Sequence, residues 1–431
     1  MALARIFDCR RTAMTALLWL RRDLRVHDHP ALEAARRDGD HLVPVFCFDD
    51  RLLHGRHASG PRTQFLLECL ADLDASLRKR GSRLVVRHGR PEVEIPRLAR
   101  DVDATAVHFT GDVSAFARNR DRRVADALDV RVRMHPGLFV VDDLDAIRAT
   151  TGKPYTVFTP FYRTWSELPR RERRGAPRRL PPLPRGLQPG SLPSLAELGL
   201  EQEVEDPRCH GGETDGRQAM RDGRSPLSPF LHFGCLSPRE IEERVSAEVS
   251  RQLCWRDFFA HVLLHHPQNA HSEHQARYRG TIRWSRAQKR FEAWCEGRTG
   301  YPMVDAGMRQ LRREGFIDNR ARLVVGSFLT KDLGIDWRWG ERWFMRLLLD
   351  GDEASNNGNW QWIASVGVDP QPVSRRILNP TLQQARHDPD GSYVRKYVPE
   401  LAQTPNDYAE PIVDHARARR EALARHRHAG R

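Results

Sequence analysis

The most informative stretch of this chain is the run Asp350-Gly351-Asp352-Glu353-Ala354-Ser355-Asn356-Asn357-Gly358-Asn359-Trp360-Gln361-Trp362. Three acids, four amides and two tryptophans fall within these thirteen residues, a mixture that suits neither a core nor an ordinary surface. Aromatic faces beside carboxylates and amides are typical of a site for a planar, polar ligand. Trp360 and Trp362 are two residues apart, so on a helix they point to different faces and predict two separate roles.

A calcium loop is one alternative for such a run, and its spacing excludes that reading. An EF-hand needs an oxygen ligand at its fifth position, Gly at its sixth and Glu at its twelfth. Counted from Asp350, those positions hold Ala354, Ser355 and Gln361. A polar surface turn is the alternative that composition alone leaves open.

Length and charge limit the function classes. The 431 residues predict two or three domains with cores of their own. The formal net charge is +13, and only five lysines contribute to it, so arginine dominates. Guanidinium forks suit phosphate, which favours nucleic acid over membrane as partner. A codon preference for arginine is the alternative explanation of the same charge.

The cysteines and the N-terminus indicate the compartment. Seven scattered cysteines without a CxxC pair predict neither a zinc site nor a disulfide framework, and no metal is expected. No apolar run approaches ~18 residues, so no membrane span is predicted. Residues 1–14 lack the apolar segment of a signal peptide and are read as a tail. We expect a cytoplasmic protein, associated with the nucleoid when it binds DNA.

Residues 15–143 alternate short apolar runs with helical periodicity. Strands are predicted at 17–20, 42–48, 84–86, 106–109 and 130–134, and the clearest helix at 61–80. This alternation predicts an α/β domain with a Rossmann-like parallel five-stranded sheet. No GxGxxG follows the first strand, so a dinucleotide bound in the usual Rossmann manner is not expected.

The pattern changes after residue 143. Residues 144–205 are predicted to be an interdomain linker, with a Pro- and Arg-rich stretch at 168–194. Residues 206–431 have mostly helical patterns, including the capping box Ser237-Pro238-Arg239-Glu240 and helices at 301–314, 317–333 and 337–349. The second domain is therefore predicted to be mostly α-helical.

Seven blocks of sequence stand in a characteristic order, at 17–28, 151–161, 227–238, 254–258, 300–311, 318–322 and 350–362. The strongest is Gly300-Tyr-Pro-Met-Val-Asp-Ala-Gly-Met-Arg-Gln-Leu311. Together they resemble the DNA photolyase and cryptochrome family, most of all the bacterial class I cyclobutane pyrimidine dimer photolyases. The resemblance implies a monomer that acts on UV-damaged DNA, with FAD in the helical domain. It also implies a second antenna chromophore, of the folate or 8-hydroxy-5-deazaflavin type, in the α/β domain.

The resemblance assigns a flavin site. Asn356 matches the position that faces the flavin N5, and Asp350 and Asp352 match the acids beside the ring system and ribose. Arg322 matches the partner of Asp350, for which a plain structural ion pair is the alternative. Phosphate contacts fall on Arg224, Ser225, Leu227, Ser228 and Arg256.

The resemblance also assigns an electron chain and a lesion site. Trp360, Trp337 and Trp284 match a chain from the flavin outward, for which ordinary core aromatics are the alternative. The walls around a flipped dimer match Trp255 and Trp362. Further DNA contacts fall on Gln252, Asn319, Arg320 and Arg376.

Some positions depart from the family pattern. Gln252 stands where dimer-repair enzymes have Glu, so we expect binding to persist and the repair yield to fall. Pro226 interrupts the phosphate loop and has no N–H to offer. Leu323 replaces a Met, and residues 366–376 are altered.

The resemblance implies a light-driven deoxyribodipyrimidine photo-lyase, a carbon–carbon lyase that repairs cyclobutane dimers by electron transfer from excited reduced FAD. A cryptochrome-like blue-light photoreceptor with weak or no repair is the alternative. A DNA-binding protein that has lost its flavin is the third reading.

Overall fold

A doubly wound sheet forms the first part of the molecule. The computed structural model describes residues 13–223, 226–369, 371–403 and 408–429. Five parallel strands stand in the order β3-β2-β1-β4-β5, and they are β1 Thr15–Leu20, β2 His41–Phe48, β3 Val85–His88, β4 Ala104–Thr110 and β5 Arg131–His135. All five predicted strands are confirmed. The order reverses beside β1, which is where open α/β sheets bind ligands at their carboxyl edge.

Helices cover both faces of this sheet, namely α1 Pro30–Asp38, α2 Asp50–Leu53, α3 Gly60–Arg78, α4 Pro91–Asp101 and α5 Ala115–Asp126. The predicted helix at 61–80 is α3, whose N-terminus is capped by the Ser59 hydroxyl. Leu17 and Trp19 pack in the core on one face of β1, and Leu18 and Leu20 in the core on the other. This burial on both faces is why the strands read as continuous apolar runs.

The predicted linker contains one helix, α6 Phe158–Glu167, and then runs without helix or strand to residue 212 through fully described sequence. Its backbone is fixed to the α/β domain, because Leu180 N donates to Arg80 O at 2.8 Å and Val86 N donates to Pro189 O at 2.7 Å. Ion pairs hold its arginines, such as Arg170 with Glu242 at 2.9 Å. The Arg-rich stretch is therefore anchored across the surface.

The second part is helical, as predicted. Its helices are α7 Glu213–Asp222, α8 Ser228–Phe233, α9 Pro238–Arg244, α10 Ala247–His265, α11 Gln288–Glu296, α12 Pro302–Glu314, α13 Asn319–Ser327, α14 Trp337–Leu347, α15 Glu353–Ala364, α16 Pro380–His387, α17 Ser392–Tyr397, α18 Glu400–Gln403 and α19 His415–Ala429. The Ser237 hydroxyl caps α9 by accepting from Arg239 N and Glu240 N. A short π-helix, Phe328–Asp332, continues α13. None of the helices in the described ranges combines the length and apolar character that a membrane crossing needs.

The two parts share one core. A single hydrophobic cluster joins Leu18 of β1 and Phe65 of α3 to Phe230 of α8 and Phe258 of α10. Arg62 of α3 is buried, and its guanidinium donates to Leu348 O at 3.3 Å, just after α14. The α/β part therefore packs against the helices that form the site.

Candidate flavin and lesion site

A cavity of about 500 Å³ lies among α8, α10, α13 and α15. This volume is within the range of about 300–1,000 Å³ usual for small-molecule and cofactor sites. Eleven of the residues assigned from sequence line it, which are Leu227, Ser228, Gln252, Trp255, Arg256, Asn319, Arg322, Asp350, Asp352, Asn356 and Trp362. Arg224 and Ser225 lie outside the described residues. The sequence assignments thus converge on one cavity although they are scattered over 136 positions of the chain, from 227 to 362.

Helix α15 places its two tryptophans in different surroundings. Asp352 caps the N-terminus, with its Oδ1 accepting from Ser355 N at 2.8 Å, and the helix ends at Ser365 with φ 65°. Asn356 and Trp362 reach the cavity, whereas Trp360 is 4% exposed and packs among core aromatic rings. Trp362 therefore faces the cavity, and Trp360 lies in the hydrophobic core.

Asp350 offers an acceptor to a ligand. Its Oδ2 accepts from Ser228 Oγ at 2.7 Å and lies 3.6 Å from Arg322 Nη2, which is an ion-pair distance. Its Oδ1 is buried and has no hydrogen-bond partner among the described residues. Leaving a buried acceptor unpaired costs about 1–3 kcal/mol, so this oxygen suits an N–H donor of a bound ring.

Asp352 is held by a residue that sequence reasoning missed. Arg22, two residues after β1, donates from Nη2 to Asp352 Oδ2 at 2.7 Å and from Nη1 to Asp112 at 3.3 Å. Burial alone would raise the pKa of Asp352. The Arg22 guanidinium, acting together with the Ser355 N–H and Arg256, instead holds that pKa well below its usual range. Two arginines at the carboxyl end of the first strand were the signal available in the sequence.

Arg22 also contacts His232, a further cavity residue absent from the sequence assignment. Arg22 Nε donates to His232 O at 3.0 Å. Burial, assisted by the Arg22 charge, lowers the pKa of His232 well below its ordinary value. The ring is therefore neutral at physiological pH, and the positive charge at this end of the cavity belongs to arginine.

Asn356 is oriented by a neighbouring helix. Its Nδ2 donates to Glu341 O at 3.0 Å, and Asn357 Nδ2 donates to Glu341 Oε1 at 3.1 Å. Arg56 from the α/β domain holds the same carboxylate at 3.0 Å. With one amide N–H engaged, Asn356 still has its carbonyl oxygen and a second N–H for a cavity ligand.

Arg256 lines the cavity but already has partners. Its guanidinium donates to Leu138 O at 2.9 Å and to Leu231 O at 3.4 Å. Burial lowers the pKa of Arg256 from its ordinary value. The role of Arg256 as a phosphate contact therefore stays a prediction. A phosphate bound there would share the guanidinium with two backbone carbonyls.

The two indoles at the cavity are each backed on one face. Trp255 stacks on Phe158 of α6 with ring centroids 3.6 Å apart and planes 2° apart. The Arg376 guanidinium lies 3.1 Å from the Trp362 ring centroid, and Trp362 Nε1 donates to Asp369 at 3.1 Å. Phe158 was not foreseen, because its contact with Trp255 spans 97 positions of sequence. Backing of this kind fixes the rings as stacking surfaces.

Comparison with known proteins identifies the family. The sequence model of DNA photolyase matches residues 16–184, and that of the FAD binding domain of DNA photolyase matches residues 249–409. The chain belongs to the DNA photolyase family. It carries the FAD-binding domain of that family, and the predicted resemblance is confirmed.

Photolyases and cryptochromes are similar to this photolyase-family chain to the same degree. The deoxyribodipyrimidine photo-lyase of Streptomyces griseus is 39% identical, covering 92% of this chain and 96% of that protein. Cryptochrome DASH of Gloeobacter violaceus is 40% identical, covering 91% and 87%. Identity alone therefore does not separate the relatives named photo-lyase from those named cryptochrome.

Solved structures of the family share the fold. A class III photolyase from Agrobacterium tumefaciens superposes with a TM-score of 0.87 at 30% identity, covering 98% of this chain and 99% of that one. The archaeal photolyase from Sulfolobus tokodaii, solved with two FAD molecules, gives 0.85 at 31% identity, covering 96% and 100%. The α/β and helical architecture is thus that of photolyases.

The lining of the cavity fits the flavin of this family. Asp350 presents an unpaired buried acceptor, and Asn356 presents an amide oxygen beside it in the same lining. Arg256 lines the same cavity and offers positive charge for a diphosphate. Pro226 lines the cavity at the altered phosphate loop and offers no backbone donor there.

The rim carries the polar residues assigned to DNA. Gln252 and Asn319 are exposed and line the cavity, and Arg320 is exposed with its Nη1 3.4 Å from Gln383 Oε1. Arg376 differs from the expectation of a free phosphate contact. It is 6% exposed and ion-paired with Asp369, because it lies between that carboxylate and the Trp362 ring.

The three tryptophans assigned to electron transfer lie in one hydrophobic cluster. Trp360 packs on α14 at Gly340, where an added Cβ would stand 2.2 Å from its ring, and Gly340 is one helical turn after Trp337. Trp284 is half-buried, and its neighbour Ser285 donates to Gly334 O at 2.7 Å, just before α14. Trp360 and Trp337 are therefore both buried, and Trp284 is the partly exposed member of the three.

Proposed function

We propose that this protein is a deoxyribodipyrimidine photo-lyase that repairs cyclobutane pyrimidine dimers in DNA with light and bound FAD. One observation carries the proposal. The polar residues Asp350, Asp352 and Asn356 share a single cavity with two backed indoles, Trp255 and Trp362. A flavin and an extruded dimer could both be contacted from that lining.

The flavin would be held by residues from both parts of the chain. Asp350 would accept a hydrogen bond from the ring system, and Asn356 would face the flavin N5. Asp352, which Arg22 holds in place, would lie beside the ribose. Ser228, Leu227 and Arg256, with Arg224 and Ser225, are proposed for the phosphates. The chemistry that bound reduced FAD supplies is the loan of one electron to the dimer under blue or near-ultraviolet light.

The dimer would be held by stacking and by hydrogen bonds at the rim. Base stacking on an aromatic ring contributes about 1–3 kcal/mol per base, and a damaged pair is cheaper to extrude than a normal one. Trp255 and Trp362 offer the stacking faces, and Asn319 and Gln252 offer amides. Gln252 can donate a hydrogen bond but holds no acid proton, so binding is retained while the yield per photon is reduced.

Contacts to DNA outside the dimer would be electrostatic. Arg320 is exposed beside the cavity residue Asn319, and the chain carries a net charge of +13. Such contacts bind phosphates without reading sequence and weaken as salt rises. Arg376 would act mainly by fixing Trp362, since its charge is already paired with Asp369.

We assign the electron chain to Trp360, Trp337 and Trp284, as the family resemblance implies. Trp360 and Trp337 are buried, and Trp284 reaches solvent. Trp337 Nε1 is buried without an acceptor among the described residues, so an oxidised Trp337 has no nearby group to take its proton. It is suited to pass charge on rather than to retain it.

The remaining assignments concern domains and the antenna. We place the antenna domain at 15–143, the linker at 144–205 and the FAD- and DNA-binding domain at 206–431, in a monomer. A folate or deazaflavin antenna would sit in the α/β domain. The archaeal relative, described with a second FAD as a light-harvesting cofactor, supports an antenna and adds FAD to its candidates.

The proposal is tested with purified, reduced protein and an oligonucleotide that contains one thymine dimer. Blue light should restore intact thymines, and the dark control should not. Flavin binding without any restored thymine would contradict the lyase and favour the alternative, a blue-light photoreceptor. That alternative is favoured by Gln252 and by the relatives named cryptochrome DASH.

A further inference from the structure

The aromatic rings that contact Trp360 are not those of the assigned electron chain. Trp294 of α11 lies with its ring centroid 6.2 Å from that of Trp360 and its plane at 71°. Among the described residues, Phe344 is the other aromatic neighbour of Trp360, with ring centroids 5.1 Å apart. Trp294 is the oxidisable one of this pair, because an indole gives up an electron far more readily than a phenyl ring does.

A continuous aromatic path leads from Trp294 to the surface. Phe291, one turn earlier on α11, stacks on Trp294 at 5.7 Å and 22°. Phe291 also meets Trp339 of α14 edge to face at 5.1 Å. Trp294 is fully buried, whereas Trp339 is half-buried and reaches solvent. The order Trp360, Trp294, Phe291, Trp339 therefore runs from the core to solvent.

The local charges also differ between the two routes. The Arg338 guanidinium lies 4.6 Å from the Trp337 ring centroid, and a cation there opposes positive charge on an oxidised indole. Its ion pairs with Glu273 at 3.0 Å and Asp336 at 3.2 Å weaken this opposition without removing the cation from the ring. In the part of the chain that the structure describes, no cation lies over Trp294. Trp294 Nε1 donates to Val325 O at 3.1 Å, so its proton is held in a buried hydrogen bond. Trp294 can thus carry a transient positive charge without losing that proton.

We propose that Trp294 and Trp339 form a second electron route to Trp360, parallel to the one through Trp337 and Trp284. The inference rests on the proposed function, since it requires bound flavin as the electron acceptor. After Trp360 gives one electron to the light-excited oxidised cofactor, Trp294 donates an electron to oxidised Trp360. Trp339 then donates an electron to oxidised Trp294. Trp339 then loses its indole proton to water. A thiol in solution returns one hydrogen atom to Trp339, and two thiyl radicals pair as a disulfide.

The test uses light-driven loss of the oxidised-flavin absorption band in the presence of thiol. Trp337→Phe should slow this reduction without abolishing it. Adding Trp339→Phe should slow it by a further factor of about ten, equivalent to about 1.4 kcal/mol in barrier. Trp343→Phe, on the same helix but off both routes, is the matched control and should change nothing. Complete loss of photoreduction in Trp337→Phe alone would overturn the second route, as would an unchanged rate in the double variant.

A second readout does not depend on flavin reduction. After long illumination in air without thiol, peptide mass spectrometry should find oxidised indole at Trp339 as well as at Trp284. Oxidation confined to Trp284 would contradict the proposal. Repair by chemically reduced protein is measured in parallel. Its failure would remove the proposed function, whereas normal repair with unreactive Trp339 would remove only the second route.

Discussion

Arg22, at the end of the first strand, donates to Asp352, 330 positions later, at 2.7 Å. The same guanidinium holds Asp112 at 3.3 Å, so one arginine joins the sheet to the N-cap of α15. The flavin-side surface of the cavity is therefore built by both parts of the molecule. The α/β domain thus positions Asp352, the residue of the helical domain that we propose for the ribose side of the flavin.

Replacing Arg22 tests this relationship. Arg22→Met leaves the Asp352 and Asp112 carboxylates without their shared partner, and we expect about 1.5–3 kcal/mol less stability together with weaker FAD retention. Urea unfolding and flavin content after gel filtration measure the two effects. Arg78→Met breaks an exposed pair with Asp74 and should cost about 0–1 kcal/mol. Equal effects of the two variants would contradict the role of Arg22.

Acid should destabilise the protein through buried neutral histidines. His261 Nδ1 pairs with Leu144 O at 2.9 Å and its Nε2 accepts from Tyr155 N at 3.1 Å, an arrangement that fits only the neutral ring. Burial lowers the pKa of His261 to about 4. The unfolded chain takes up the proton near pH 6.5, so stability is full above about pH 6.5 and falls as pH drops towards 4.

The check is urea unfolding across that pH range. His261→Gln should lose stability at neutral pH and show a shallower decline between pH 6.5 and 4 than the parent protein. An identical decline in the variant would show that His261 does not contribute. Burial lowers the pKa to about 4 in the same way for His57, His108, His274 and His426, so part of the decline should remain.

Gln252, at the exposed rim of the cavity, is expected to lower the number of dimers repaired per absorbed photon. Gln252→Glu introduces a group that can share a proton with the dimer, and we expect more thymines restored per absorbed photon at unchanged DNA affinity. Gln252→Ala removes the hydrogen bond altogether and should fall below the parent. Quantum yields measured on one dimer-containing oligonucleotide decide the order. A yield for Gln252→Glu equal to or below the parent would show that this position does not limit repair.

Stacking by the backed indole predicts selectivity for damage. Trp255→Ala should weaken binding of dimer-containing DNA by about 1–3 kcal/mol while changing the affinity for undamaged duplex little. Phe158→Ala should have a smaller effect of the same kind, because it removes the ring that backs Trp255. Titrations with both DNAs provide the comparison. Equal losses on damaged and undamaged DNA would place Trp255 outside the lesion site.

Salt dependence should distinguish the two rim arginines. Arg320→Gln should reduce the slope of log affinity against log salt by about 0.9 on any duplex, since it removes one phosphate contact. Arg376→Gln should change that slope less and should loosen Trp362, because Arg376 is already paired with Asp369. The reverse order of slopes would show that Arg376 leaves Asp369 to bind phosphate.

Sequence patterns predicted the features that depend on residues close together in the chain, namely strands and helix caps. The five strands followed from apolar runs buried on both faces, and α9 followed from the capping box at Ser237. The cavity residues followed from family blocks. Arg22 and Phe158 were missed because their roles depend on partners 330 and 97 positions away, and no local pattern reports such contacts. The pairing of Arg376 with Asp369 was missed because a free and a paired arginine look alike in sequence.

We propose above that one cavity holds both the flavin and the dimer. This proposal is tested most directly by the fluorescence lifetime of the bound, reduced flavin, measured with and without dimer-containing oligonucleotide. Electron loss to an adjacent dimer should shorten the lifetime, and the same strand with intact thymines should leave it unchanged. Trp255→Ala should remove the shortening at a fixed, subsaturating DNA concentration. A lifetime unaffected by saturating dimer would contradict the account.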